Sequence, residues 1–246
     1  MQIHILNGDA LKDQLDQKFQ PYIVFRECMI DGPKESIEFE LFWRERALFF
    51  QNFYQVSHDE YFDKARKELE RLLEPSQITE INLWFEFDLF CLSNLWFLVQ
   101  WLNQHRSLSK IFWVYPTHYK WSGFGSMTGE QFQLAFDQRK RLNPDDITFI
   151  LNTWNAYRTN DLEKINSLVE KLPNSLVTMK EALKAATHFL NLSSDDHPQN
   201  ILKGIIKKQI SVSFGEIFNE FSSKHGVFGL GDLQIKLLLK KINWTT

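Results

Sequence analysis

The chain has 246 residues, 43% of them apolar and 24% charged, with 28 Lys and Arg against 31 Asp and Glu for a net charge of −3. A chain of this size buries a sizeable core without disulfide or metal staples, and its balance excludes intrinsic disorder and a globally basic nucleic-acid binder. Two cysteines, Cys28 and Cys91, stand in neither a Cys-x-x-Cys pair nor a Cys/His cluster, which argues against a disulfide framework and a zinc site and for a reducing cytoplasm. The 22 Phe and 8 Trp point to an aromatic core, with exposed rings for base stacking as the alternative. Met1–Ile5 is strand-like rather than a secretory signal, and the apolar run Leu89–Leu102 is shorter than the roughly 18 residues a membrane span needs, so no membrane partner is expected.

In chain order, Ile3–Leu6 reads as a short strand stopped by Asn7-Gly8-Asp9. A helix over Ala10–Phe19 follows, with Leu11, Leu15 and Phe19 spaced by four and Asp9 as its N-cap. Pro21 breaks it, Tyr22–Phe25 is a second strand, and Asp31-Gly32-Pro33 is a turn. Ser36–Phe53 is an amphipathic helix with Ile37, Leu41, Leu48 and Phe49 near one stripe. Ser57 and Glu60 form a capping box for another helix reaching about Leu73, ended by Glu74-Pro75-Ser76. Ile81–Phe87 is a third strand, Asp88 caps a buried helix over Leu89–Asn103, and Ile111–Tyr115 is a fourth strand ended by Pro116.

Strand and helix thus alternate four times, the pattern of a Rossmann-like α/β domain with a parallel sheet flanked by helices. The texture changes after a loop carrying Ser122, Gly123, Gly125 and Gly129. Helices are predicted near Glu130–Leu142, Pro144–Thr159, Asp161–Lys171, Leu176–Leu190, Phe214–Ser223 and Gly231–Ile242, with an ambiguous strand at Ile210–Phe214. The expected organisation is an α/β domain over 1–125 and a mainly helical domain over 126–246.

Ligands of open α/β sheets bind beyond the carboxyl ends of the strands. The polar residues there are Asn7, Gly8 and Asp9 after the first strand, and Arg26, Glu27, Asp31 and Gly32 after the second. Glu86, Asp88 and Cys91 follow the third, and Thr117 and His118 the fourth. Gly8 permits close backbone approach to an anion, and Arg26 and Arg46 are candidates to neutralise one. Asp9, Glu86 and Asp88 could hold a hard divalent cation such as Mg²⁺. Against these stand structural roles: a capped turn at Asn7-Gly8-Asp9, a helix cap for Asp88, and Glu86 paired to Arg26 or Arg46. Each cysteine reads as a small buried hydrophobe, and His4 as a core residue. The lysines at 203, 207, 208, 236, 240 and 241 add local positive charge in the tail, where a solvated face competes with a winged-helix-like reader of nucleic acid.

Three segments together carry a family resemblance: His4-Ile-Leu-Asn7-Gly8-Asp9, Phe25-Arg26-Glu27-Cys28 with Asp31-Gly32-Pro33, and Leu83-Trp84-Phe85-Glu86-Phe87-Asp88-Leu89-Phe90-Cys91. They resemble the bacterial family named domain of unknown function 1835. Phe136-Asp-Gln-Arg139, the Trp154 segment and Phe228-Gly-Leu-Gly-Asp232 are similar to the helical tail that accompanies it, while Leu192–Pro198 departs from its pattern. The resemblance implies this architecture and singles out the same strand edge, and it supplies no substrate.

The leading expectation is a cleft binding a small phosphorylated ligand or nucleotide, with a divalent cation. As an enzyme it would be a metal-assisted hydrolase or phosphoryl transferase. The alternatives are an adaptor whose helical tail binds nucleic acid or a protein, and a structural cleft with no ligand.

Overall fold

A computed structural model describes residues 1–15, 17–73, 78–105, 110–117, 121, 123–208 and 213–244. The predicted helix stop at 74–76, the ambiguous strand beginning at 210, Ser122 and His118 lie outside the described residues.

Five strands form one sheet: β1 (Gln2–Asn7), β2 (Tyr22–Phe25), β3 (Glu80–Trp84), β4 (Ile111–Val114) and β5 (Lys140–Arg141). Their spatial order is β2-β1-β3-β4-β5, with the first four parallel and β5 antiparallel to β4. Between them run α1 (Asp9–Gln14), α2 (Phe39–Tyr54), the continuous helical segment α3 (His58–Tyr61), π turn (Phe62–Arg66) and α4 (Lys67–Glu70), then α5 (Leu89–His105) and α6 (Gly129–Asp137). The remainder is helical: α7 (Pro144–Arg158), α8 (Leu162–Glu170), α9 (Lys180–Leu190), α10 (Pro198–Lys207), α11 (Phe214–His225) and α12 (Asp232–Lys241). Among the described residues no helix is long and apolar enough to cross a membrane.

Side-chain alternation sends each strand's residues to two different cores. Ile3, Ile5, Ile81, Leu83, Ile111 and Trp113 face the larger one. It is continuous with α5 and with the later helices: Trp154 of α7 meets Phe97 of α5 edge-on at 5.4 Å, and Trp96 meets Tyr157 at 5.5 Å. Leu6, Trp84 and Val114 face the smaller core, closed by Leu11 and Leu15 and by Phe124 and Phe132. α5 is apolar all round because it is packed on nearly every side, with Leu89, Leu92, Leu95, Trp96, Leu98 and Val99 fully buried. Each such side chain contributes roughly 1.5–3 kcal/mol of burial.

Several predicted elements shift. Gly8, at φ +93°, holds the cap position of α1, so Asp9 is the first helical residue and its carboxylate bonds to Arg26 instead of the helix amides. That helix ends at Gln14, before a 3₁₀ turn over Gln17–Phe19. α2 begins at Phe39, capped by Glu38, rather than at Ser36. β3 ends at Trp84, which leaves Glu86 and Asp88 in the turn beyond it. The helix expected to reach Leu142 stops at Asp137, and the chain reverses into β5. At that reversal Arg139 lies over the rings of Phe112 and Phe136 and pairs with Glu80 at 3.3 Å.

Candidate functional site

The chain leaves β1 toward β2, then crosses back to place β3 on the other side of β1. The topological switch point therefore lies between the ends of β1 and β3, where neighbouring connections diverge and leave a crevice. Asn7 ends β1 there, and Glu86, Asp88 and Cys91 follow β3. A cleft of about 380 Å³ opens at this place, lined by these four residues with Trp121 and Phe124 among others.

One carboxylate oxygen of Glu86 and of Asp88 and the Cys91 sulfur all lie within 4.8 Å of one another. Glu86 accepts a hydrogen bond from the Phe124 amide at 2.6 Å, and Asp88 caps α5 by accepting from the Cys91 amide at 2.9 Å. A relay of donors converges on Glu86. Asn94 donates to Asn7 at 2.9 Å, Asn7 to the Cys91 sulfur at 3.1 Å, and Cys91 makes a long 3.9 Å contact to Glu86. Asn94 is fixed in turn by donating to the Glu27 carbonyl and accepting from the Met29 amide, both at 2.8 Å.

Among the described residues no cation pairs with Glu86 or Asp88, and none that lines the cleft is basic. Burial and the neighbouring Asp88 push Glu86 up to about 7, and burial raises Asp88 as well. Burial together with the two carboxylates holds the Cys91 thiol well above its ordinary range, so it is protonated at neutral pH.

Two glycines from distant parts of the chain press onto these carboxylates. Gly123 has φ +56°, and a Cβ there would stand 2.1 Å from a Glu86 oxygen. Gly229 has φ +65°, and a Cβ there would stand 2.0 Å from Asp88 Oδ1. Both positions require glycine for backbone conformation and for close approach. The tail thus supplies one wall of the cleft, through Gly226 and Gly229.

The remaining residues singled out in the sequence divide into two other groups. Asp9 and Arg26 form a bidentate pair at the rim, with both bonds at 2.7 Å, and Arg26 also donates to the Lys64 carbonyl. Glu27, Arg46 and Gly32 belong to a buried network behind the β2 end. Arg46 meets Glu27 at 2.6 Å and donates to the carbonyls of Cys28 and Asp31 at 2.9 and 2.5 Å, while Tyr61 donates its hydroxyl to Glu27. Gly32, at φ +77°, lets the loop backbone lie against Arg46 and Phe49. Neither arginine pairs with Glu86, the partner that sequence reasoning weighed for them.

Asn7, Glu86 and Asp88 are brought together, whereas Asp9 pairs with Arg26 and does not line the cleft. Sequence reasoning left Asn94, Gly123, Trp121 and the Gly226–Gly229 turn out of the site. The glycines at 123 and 229 are the sequence signal that could have pointed to these two loops, because both take a positive φ. No family model matches the chain, and no curated protein matches it.

Proposed function

We propose that the cleft between β1 and β3 binds a divalent cation, Mg²⁺ being the candidate, and through it a small phosphorylated ligand or nucleotide. The observation that carries this reading is the close set of Glu86, Asp88 and Cys91 at the switch point with no cation among its described neighbours. Two carboxylates at this range repel, and a bound cation relieves that repulsion. A phosphate cannot enter beside them unaided, because Arg26 is committed to Asp9 and Arg46 to Glu27. The cation supplies the missing positive charge, assisted by the amino end of α5.

Oxygen ligands from Glu86 and Asp88 suit a hard ion that keeps several positions for water and phosphate oxygens. The protonated Cys91 thiol then orients Glu86 rather than ligating. A hard divalent ion held by two carboxylates would polarise phosphate oxygens and water, so hydrolysis or phosphoryl transfer is the matching reaction class. The strand order supports a Rossmann-like reading of the sheet, and the resemblance to domain of unknown function 1835 is in keeping with it.

A competing reading rests on the Asp88 cap of α5. In it the carboxyls are structural, and Glu86 carries a proton instead of facing a metal. A thermal-shift series with Mg²⁺, Mn²⁺, nucleotides and sugar phosphates separates the two. At about a hundred times its dissociation constant a ligand adds roughly 2.7 kcal/mol, which raises the melting point by roughly 5–10 °C for a chain of this size. The metal shift should vanish in Glu86→Gln, and the phosphate shift should require the metal. A metal shift of equal size in Glu86→Gln overturns the proposal.

A further inference from the structure

A second cavity, of about 400 Å³, lies between the turn that follows β2 and the helical tail. Its apolar walls come from Ile30, from Phe189 and Leu190 of α9, from Leu192 and Leu230, and from Leu237 and Leu238 of α12. Lys34, Lys241, Asp31, His197 and Gln234 also line it. The volume is within the range of small-molecule sites, roughly 300–1,000 Å³.

Asp31, Gln234 and His197, three of the polar residues around this cavity, are engaged in hydrogen bonds, in contrast to Lys34. Asp31 accepts from the Gly32 amide at 3.1 Å and from the Tyr54 hydroxyl at 3.0 Å. Gln234 accepts from the Gly231 amide and donates to the Tyr54 hydroxyl, both at 3.1 Å. His197 caps α10, its Nδ1 accepting from the Gln199 amide at 3.1 Å, and burial keeps its ring neutral. Lys34 differs. It is only 7% exposed, yet among the described residues its ammonium has no hydrogen-bond acceptor and no ion pair. It lies over the face of Tyr157, 5.1 Å from the ring centroid. The nearby carboxylates of Asp31 and Glu35 act on it without pairing with it.

A lysine whose stem is buried and whose ammonium meets the cavity over an aromatic face, with no acceptor of its own, is placed to meet an anion there. Lys241 adds a second positive charge to the same lining, against the single negative charge of Asp31. We propose that this cavity binds a small organic anion, with Lys34 meeting its carboxylate or phosphate head and the leucine and phenylalanine walls holding an apolar body. The site is separate from the β1–β3 cleft and stands or falls independently of the function proposed there.

Calorimetric titration of the full chain with hexanoate and with phenyl phosphate, and with hexanol as the uncharged control, tests this. Lys34→Met keeps the apolar stem and removes an unpaired charge, so it should fold and hold or raise its melting point. Leu237→Trp fills the cavity without touching Lys34. Saturable binding of at least one anion is expected, weakened by about tenfold or more in Lys34→Met, and weakened likewise in Leu237→Trp. Glu86→Gln should bind the anion as the wild type does, which separates this site from the first cleft. Hexanol binding as tightly as the anions, unchanged affinity in Lys34→Met, or no anion binding up to about 10 mM would each overturn the proposal.

Discussion

Glu27, buried, and Glu86, half-buried, each stand just past the end of a strand, but their surroundings are opposite. Glu27 meets Arg46 and Tyr61, and Arg46 spends its other donors on the carbonyls of Cys28, Asp31 and Pro33. Glu86 meets an amide, a thiol and a second carboxylate. The first arrangement is closed and holds a loop in place. The second leaves negative charge unanswered at the crevice where an open α/β sheet receives ligands. Acid at a strand end is therefore not by itself a site: the location of the cation decides whether the residue builds structure or waits for a ligand.

The largest effect should come from breaking the closed network. Arg46→Met leaves Glu27 buried beside Tyr61 without its counter-charge, which costs about 3–5 kcal/mol and lowers the melting point by roughly 6–20 °C. Calorimetry or thermal denaturation measures it, and a loss under about 1 kcal/mol would show that the network does not hold the loop.

Next come the glycines over the carboxylates. Gly229→Ala combines a positive φ with a Cβ inside the Asp88 contact. It should cost about 1–3 kcal/mol in urea denaturation and blunt any metal-induced shift.

Glu86→Gln should act in the other direction, and with pH. Glu86 titrates at 4.5 in the unfolded chain and at about 7 in the folded one, so between these values the folded state holds the extra proton. Its contribution to stability is full below 4.5 and falls as pH climbs to 7. The variant should therefore gain about 2 kcal/mol on the wild type between pH 5.5 and pH 8. His4 works oppositely, because its ring, lowered from 6.5 to about 4, costs stability as pH falls. His4 is present in both proteins and cancels in the difference. A flat difference across this range would mean that Glu86 is not the poised carboxyl.

The smallest effect belongs to the rim. Asp9→Ala removes a solvent-facing pair with Arg26 and should cost under about 1 kcal/mol. It also releases the Arg26 guanidinium. A phosphate shift that grew in this variant would bring Arg26 back as a ligand group.

The end of the first strand was legible in the sequence because Ile3–Leu6 stops at Asn7-Gly8-Asp9, whereas Ile81–Phe87 read as one strand although β3 ends at Trp84. The parallel order of those strands then puts Asn7, Glu86 and Asp88 on one edge. Which arginine meets which acid was not legible. Arg26 stands next to Glu27 in sequence yet pairs with Asp9, while Glu27 takes Arg46 from α2, a choice made by tertiary packing. Gly123 and Gly229 reach the site from far along the chain, and no local periodicity encodes such an approach. β5 is two residues long, too short to carry an alternating pattern.

That the carboxylates past β3 await a cation can be read by Mn²⁺ titration at pH 8, where Glu86 is ionised, with electron paramagnetic resonance following the unbound ion. One Mn²⁺ should be taken up per wild-type chain and none by Glu86→Gln or Asp88→Asn. Wild-type protein that leaves all the Mn²⁺ unbound at millimolar concentration, or a Glu86→Gln variant that binds it as tightly, would contradict it.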